Sequence, residues 1–244
     1  MEADEPLMEN ASYTTLTRQS GLMREMSVIA SNIANANTTG YRQEGLIFSE
    51  VIKGVSDAPS LSMATARARA TSLAPGTITQ TGGPYDVAID GDGFFQIQTP
   101  GGTRLSRAGH FMPNNQGDLV TPDGYRVLDA GGAPLGIPQG TGKISISADG
   151  TLSSKGQLLG QLGIVQPSTG TQILREDGVH FRADGPTEPN FDARVRQGFL
   201  EGSNVNPMSQ IARMIEVQRA YEMGQSFAET ENERLRNAVR TIIK

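Results

Sequence analysis

The sequence predicts an α+β protein in which N- and C-terminal helices pair as a coiled-coil-like layer, with an inserted all-β domain and an extended connector between them. Apolar residues recur at spacings of three and four at both ends of the chain. Short β-rich segments separated by glycine turns fill the middle. We therefore expect a helical domain of residues 1–40 plus 204–244, an extended connector at 41–84 and a β domain at 85–203.

The first helix is predicted from Tyr13 to about Asn37, and it has two apolar stripes. The first stripe contains Tyr13, Leu16, Ser20, Met23, Ser27, Ala30 and Ala34, and the second contains Leu22, Met26, Ile29, Ile33 and Ala36. A helix with two contact stripes typically packs between two neighbours. Asn35 and the residues up to Gly40 favour a turn and a left-handed cap, so we expect the helix to end there.

Residues 41–84 carry few regularly spaced apolar side chains, and their centre is rich in Ala, Thr, Ser and Arg. This composition predicts an extended connector, with residues 56–84 as candidates for ordering on assembly. Beyond it, we predict strands at Asp86–Asp90, Phe94–Gln98, Lys143–Ser147 and Gln161–Val165. Six Asp-Gly pairs between residues 90 and 185 predict the turns that separate the strands.

The last helix is predicted to begin at Pro207, because Asn206 is a favourable N-cap and proline is favourable in the first helical turn. Its seam of alternating three- and four-residue spacings contains Met214, Val217, Tyr221, Gly224, Ala228, Glu231, Leu235, Ala238 and Ile242. Such a helix is about 55 Å long at ~1.5 Å per residue. It therefore needs an elongated partner or other chains to cover it.

The composition disfavours several classes of function. The chain has 21 Lys and Arg against 26 Asp and Glu, a formal net charge of −5, so a nucleic-acid partner is not expected. It has no cysteine, and no stretch approaches the ~20 apolar residues of a membrane span. The acidic start of the sequence does not resemble a secretory signal peptide, and Met8 is an alternative start to Met1.

No motif in the sequence predicts an enzyme. His110 and His180 are about seventy positions apart and stand in no catalytic motif, so we interpret them as turn or surface residues. The segment Asp90–Gly93 resembles half of a calcium loop, but it lacks the remaining ligands and is better interpreted as a turn. We predict no catalytic residue, no metal and no cofactor.

Two long motifs at the ends of the chain resemble the signatures of bacterial flagellar rod and hook proteins. Residues Tyr13–Tyr41 are similar to the N-terminal signature, and Gln197–Asn206 with Met214–Glu222 are similar to the C-terminal one. Asp86–Phe95 and Arg107–Phe111 resemble segments of the family's β domain. Within the family, the motifs are most similar to the proximal rod branch, and the distal rod branch is the alternative.

The resemblance implies a structural subunit that transmits torque from motor to hook. It implies export by the flagellar type III apparatus without a cleavable signal peptide, and assembly in the periplasm with copies of itself and other rod proteins around the export channel. The expected assembly interface contains Leu22, Met26, Ile29, Ile33, Asn35, Val217, Tyr221, Leu235 and Ile242.

Two alternatives remain at this point. From the pattern alone, the two helices could close as an intramolecular hairpin on their own β domain. The β domain could also be a secreted adhesion or glycan-binding module on a helical stalk. The absence of Trp makes a carbohydrate platform less attractive.

Overall fold

The computed structural model describes residues 5–55, 58–138 and 140–242, with side chains described at 15–47, 69–138, 140–234, 236–237 and 240–241. It has two long helices, α1 (Glu5–Ala34) and α2 (Pro207–Ile242). The strands before the middle of the chain are β1 (Glu44–Val55), β2 (Ala58–Thr71), β3 (Ile78–Gln80), β4 (Val87–Asp90), β5 (Phe94–Thr99), β6 (Gly102–Ser106), β7 (Met112–Pro113), β8 (Leu119–Val120) and β9 (Arg126–Val127). The remaining strands are β10 (Ile144–Ile146), β11 (Thr151–Ser154), β12 (Gln157–Gln161), β13 (Ile164–Pro167), β14 (Ile173–Asp177), β15 (His180–Ala183), β16 (Thr187–Pro189), β17 (Arg194–Gln197) and β18 (Phe199–Glu201).

These elements form two compact units, and the predicted mixed α+β architecture is confirmed. The helical unit comprises residues 1–34, 44–70 and 206–244, and the β unit comprises residues 35–43 and 71–205. The backbone therefore passes from one unit to the other four times, after residues 34, 43, 70 and 205.

In the helical unit, α1 and α2 run antiparallel and pack against each other. Three contacts fix their register. Asn32 of α1 lies 3.1 Å from Gln210 of α2, and Glu25 lies 2.7 Å from Arg213. At the other end of the contact, a Cβ added at Gly224 would lie 3.7 Å from the Gln19 side chain. Residue numbers thus fall along α1 as they rise along α2.

The segment predicted as an extended connector contains strands. β1 and β2 pair as a two-stranded sheet, whose residues 44–70 belong to the helical unit. β3 pairs antiparallel with β18, so that Ile78 lies opposite Glu201 in the β unit.

The β unit is built from antiparallel sheets around one main apolar core. Its largest sheet has the strand order β14-β15-β6-β5-β9-β8-β7, and β13 pairs with both β5 and β16. β10, β11 and β12 form a second sheet, and β17 pairs with β4. The core contains Val87, Phe95, Ile97, Val127 and Leu152, each fully buried. Because the chain has no Trp, this core depends on β-branched and aliphatic side chains with a few Phe.

The predictions for individual elements have mixed outcomes. The start of α2 at Pro207 is confirmed, because the Asn206 side chain accepts a hydrogen bond from the Ser209 N–H at 3.2 Å. Five of the six predicted Asp-Gly turns place glycine at positive φ. The prediction of a single strand at Gln161–Val165 is wrong, because the chain leaves β12 after Gln161 and enters β13 at Ile164.

Gly40 marks the turn that follows α1. Its φ is +71°, and a Cβ added there would lie 2.2 Å from the Ala108 backbone nitrogen. Its own N–H donates to the Glu201 carbonyl at 2.8 Å. Glycine is therefore required at this position both by the backbone conformation and by the close approach of a second segment.

This requirement predicts that Gly40→Ala lowers the free energy of unfolding by about 3 kcal/mol, the sum of a left-handed backbone penalty and a steric clash. Gly82→Ala is the matched control, because Gly82 has φ +74° but open space around its Cβ position. The control should cost about 1 kcal/mol. Urea unfolding followed by near-ultraviolet circular dichroism measures both, and equal losses would contradict the role of the close approach.

Candidate functional site

The predicted interface residues of α1 are covered to different degrees. Ile29 is buried, and Leu22, Met26 and Ile33 are half-buried. Asn35 follows the helix and belongs to the β unit, where its carbonyl accepts the Thr38 N–H at 3.1 Å. The role of these residues between copies of the chain stays a prediction.

The seam predicted on α2 faces α1. Val217 is buried. Tyr221 is half-buried, and so are the seam residues Met214, Gly224 and Ala228. Leu235 and Ile242 belong to the α2 backbone, but their side chains lie outside the described ones. Every seam side chain that the structure describes is thus at least partly covered.

The first stripe predicted on α1 is exposed wherever the structure describes its side chains. Its described residues, Leu16, Ser20, Met23, Ser27, Ala30 and Ala34, are all exposed. The Leu16 residue is 63% exposed to solvent, and Met23 is 57% exposed. Because contiguous exposed apolar side chains commonly mark interaction sites, this stripe is a candidate contact surface.

A buried amide fixes the end of the contact between α1 and α2. The Asn32 side chain donates to the Glu44 carbonyl at 2.8 Å and to the Gln210 side chain at 3.1 Å, and it accepts the Glu44 N–H at 3.0 Å. Asn32 and Gln210 are both buried. The amide therefore ties α1 to α2 and to the start of β1, a role that the sequence analysis did not predict.

The most buried charges of the β unit surround Glu201. Its carboxylate lies 2.9 Å from the Arg42 guanidinium and 3.4 Å from the Arg107 guanidinium. It also accepts the Gly76 N–H at 2.8 Å. The side chains of Glu201 and Arg42 are each 1% exposed. We call Arg42, Arg107 and Glu201 the buried charge cluster.

Burial has a visible effect on the arginines of this cluster. Desolvation lowers the pKa of Arg42 to about 10, although the neighbouring Glu201 carboxylate opposes the shift. Desolvation likewise lowers the pKa of Arg107, again opposed by Glu201. A pKa of about 10 keeps Arg42 charged at neutral pH, and Glu201 lies between the Arg42 and Arg107 guanidiniums.

Neighbouring groups hold the Arg42 backbone and side chain. The Arg42 guanidinium donates to the Ala74 carbonyl, and the Arg175 guanidinium donates to the Arg42 carbonyl. Arg175 also stacks on the Tyr41 ring at 4.2 Å from its centroid. Asn204 accepts the Gln43 N–H at 2.5 Å. Segments from both ends of the chain are thus joined inside the β unit.

The two histidines lie near each other in space, although they are distant in sequence. His110 Nδ1 lies 2.6 Å from the Asp86 carboxylate, and His180 is buried with its ring edge-on to Tyr125. Both line a groove of about 400 Å³ with Thr38. The interpretation of His180 as a turn or surface residue is wrong, because pairing of β15 with β6 buries it.

Among the residues that the structure describes, no three or more His, Asp or Glu side chains converge in a way that could hold a metal ion. In the same part of the chain, neither helix combines the length and the apolar character that crossing a membrane requires.

Three family models match successive parts of the chain. Residues 13–42 match the model described as "Flagella basal body rod protein", and residues 88–154 match the "Flagellar hook protein FlgE/F/G D1 domain". Residues 196–241 match the "Flagellar basal body rod FlgEFG protein C-terminal".

Relatives cover almost the whole chain. It is 39% identical to the flagellar basal-body rod protein FlgF of Mesorhizobium japonicum, over 88% of this chain and 90% of that protein. It is 37% identical to FlgF of Caulobacter vibrioides, over 97% of this chain and 99% of that protein. The chain belongs to the flagellar basal-body rod protein family. The predicted resemblance is confirmed. Relatives named FlgG are close competitors, since FlgG of Bacillus subtilis is 31% identical over 95% of this chain and 98% of that protein.

The buried charge cluster draws one residue from each matched segment of this rod-family chain. Arg42 is the last residue of the N-terminal match, Arg107 lies in the central match and Glu201 lies in the C-terminal match. The ion pairs therefore join the three parts of the sequence by which membership of the rod family is recognised.

Glu201→Gln should lower the free energy of unfolding of the β unit by about 3–5 kcal/mol, because it leaves two buried guanidiniums without their carboxylate. Glu176→Gln is the matched control. Glu176 pairs with Arg104 but its side chain is 46% exposed, so its loss should cost at most about 1 kcal/mol. Urea unfolding of the full chain measures the free energy of unfolding of both variants. If the two variants lose similar amounts, burial of the Glu201 ion pairs does not make them more important for stability than the exposed pair.

Proposed function

We propose that the chain is a structural subunit of the flagellar rod that polymerises around the export channel and transmits torque from motor to hook. The observation that carries the proposal is that both stripes of α1 are apolar or small, and only one of them is covered by α2. A polymer of such subunits covers the remaining stripe with other copies. The membership of the rod family supports the same conclusion.

In this proposal the antiparallel helices form a coiled-coil-like layer that lines the channel, and the β unit forms the outer part of the rod. The seam spacing of α2 and its burial against α1 support the coiled-coil-like pairing. The proposal assigns no catalytic role to any residue. His110 then serves to hold Asp86, and the functional residues are those that pack.

The proposed location is the rod within the periplasm. The chain would reach it through the flagellar type III export apparatus without a cleavable signal peptide, and its partners would be copies of itself and other rod proteins. The names of the relatives, which are basal-body rod proteins, support this placement. The close identity to relatives named FlgF supports a position in the proximal rod, with the distal rod as the alternative.

Ile33→Asp should prevent the chain from entering the rod, because it places a charge on the half-buried face of α1. Gln225→Asp is the matched control, since it adds the same charge at an exposed position of α2. In a strain that lacks its own copy, the Ile33 variant should reduce swimming to background, and the control should swim normally. Mass spectrometry of isolated basal bodies measures incorporation directly.

The β unit should remain folded in the Ile33 variant, because Ile33 lies in the helical unit. Limited proteolysis followed by mass measurement checks this point. Normal motility with full incorporation of the Ile33 variant would contradict the proposed assembly. Absence of the unaltered protein from basal bodies would contradict the proposed function itself.

A further inference from the structure

A groove in the β unit has the size and the lining of a binding site. Its volume is about 400 Å³, which lies in the range of roughly 300–1,000 Å³ that is typical of ligand-binding clefts. Its walls come from the turn after α1, the segment between β6 and β7, the turn between β8 and β9, the residues around the start of β15, and β18. We call it the histidine groove, because His110 and His180 both line it.

The walls of the histidine groove are largely aliphatic. Ala108, Pro122, Val179 and Leu200 all line it. Three of these side chains are half-buried and Pro122 is exposed, so their apolar surface is accessible from the groove. Because the removal of apolar surface from water is favourable, such walls favour a ligand with a hydrocarbon stem.

Asp86 determines which hydrogen bonds His110 can make with a ligand. The Nδ1 atom of His110 lies 2.6 Å from the Asp86 carboxylate, which also accepts a hydrogen bond from the Thr81 hydroxyl at 2.5 Å. A carboxylate only accepts hydrogen bonds, so Nδ1 carries the proton of the neutral ring. The half-exposed imidazole therefore offers an acceptor at Nε2.

Asp123 adds a negative charge to the same groove. It lies in the turn between β8 and β9, where the Gly124 N–H donates to the Thr121 carbonyl at 2.9 Å. The Thr121 N–H in turn donates to the Tyr125 carbonyl at 2.8 Å, so the turn is fixed at both ends. No Lys or Arg of the described residues lines the groove. A ligand of this groove should therefore donate hydrogen bonds and carry positive charge.

We infer that the histidine groove binds an arginine side chain of a partner protein. The methylene stem of the arginine packs on the aliphatic walls, and its guanidinium donates to His110 Nε2 and to the Asp123 carboxylate. A guanidinium has five N–H donors and no acceptor, so it matches these two acceptors. A lysine ammonium suits the groove less well, because it is more strongly hydrated and leaves water at a greater cost.

The lining favours an arginine within a protein over the free amino acid. Free arginine carries an α-carboxylate, which would meet the Asp123 carboxylate and no described cation in the groove. An arginine within a polypeptide lacks that group. The inference goes beyond the proposed function and is tested on the purified chain. Its failure would therefore leave the proposed role in the rod unaffected.

Methyl NMR of the full chain tests this inference. The protein is labelled at Ala, Val and Leu methyl groups and titrated with the capped peptide acetyl-Gly-Gly-Arg-Gly-Gly-amide. We expect saturable shifts of the Ala108, Val179 and Leu200 methyl signals. The matched peptide with citrulline in place of arginine has the same shape without the charge. It should bind at least about tenfold more weakly, because hydrogen bonds from a charged donor contribute more than those from a neutral one.

Three further ligands complete the titration. The matched lysine peptide and free L-arginine should both bind more weakly than the arginine peptide, and the matched phenylalanine peptide should do so as well. Equal affinity for the arginine and citrulline peptides would overturn the inference, as would saturable shifts confined to other parts of the chain or no saturable shifts at all. Tighter binding of free arginine or of the phenylalanine peptide would also overturn it, in favour of a small-molecule site or of a purely apolar one.

Asp123→Asn tests the role of the charge in the groove. Asn-Gly is as favourable in a turn as Asp-Gly, so the fold should not change, and the methyl spectrum of the free variant checks this. The dissociation constant for the arginine peptide should rise about two- to fivefold, the usual contribution of an exposed ion pair. Asp192→Asn is the matched control, because Asp192 is exposed and does not line the groove. Equal dissociation constants for the two variants would contradict the proposed contact with Asp123.

Discussion

The placement of one carboxylate between two buried guanidiniums constrains much of the β unit. Glu201 pairs with Arg42, which comes just after the first helix, and with Arg107, which comes from the middle of the chain. Removing such charges from water costs several kcal/mol per ion, so the cluster is tolerated only with its partners in place. It therefore penalises any arrangement in which one of the three segments is misplaced, whether or not it adds net stability.

The same segments are held by backbone contacts that leave little space. Gly40 reaches the Glu201 carbonyl, and Asn204 holds the backbone at Gln43. The turn after α1 and the strand before α2 are therefore bound to each other in the β unit. A chain whose β unit has folded has already brought together the points at which α1 ends and α2 begins.

Local signals were sufficient to predict the helices and most of the turns. Asn206 with Pro207 indicated where α2 starts, and the periodicity of Leu22, Met26 and Ile29 indicated which face of α1 is covered. These features depend on residues within a few turns of one another. The α+β fold class could therefore be predicted from the sequence, whereas the family was predicted from the resemblance of the two terminal motifs.

Long-range polar contacts could not be predicted in the same way. Arg42 and Glu201 are separated by most of the chain, and nothing in their local sequence identifies them as a pair. Asn32 bonds to both Gln210 and the start of β1, and no local pattern around it indicates these contacts. The division of Gln161–Val165 between two strands also depends on a distant segment, since the Gly163 N–H donates to the Leu128 carbonyl.

The four crossings of the backbone between the helical unit and the β unit have a mechanical consequence. In a protein whose domains are joined by one linker, a force on one domain reaches the other through a single peptide segment. Here the tension is divided among four covalent connections, and two of them, after residues 43 and 205, lie beside segments that Asn204 ties together. Sharing the tension in this way lowers the force that any one connection carries under a given pull.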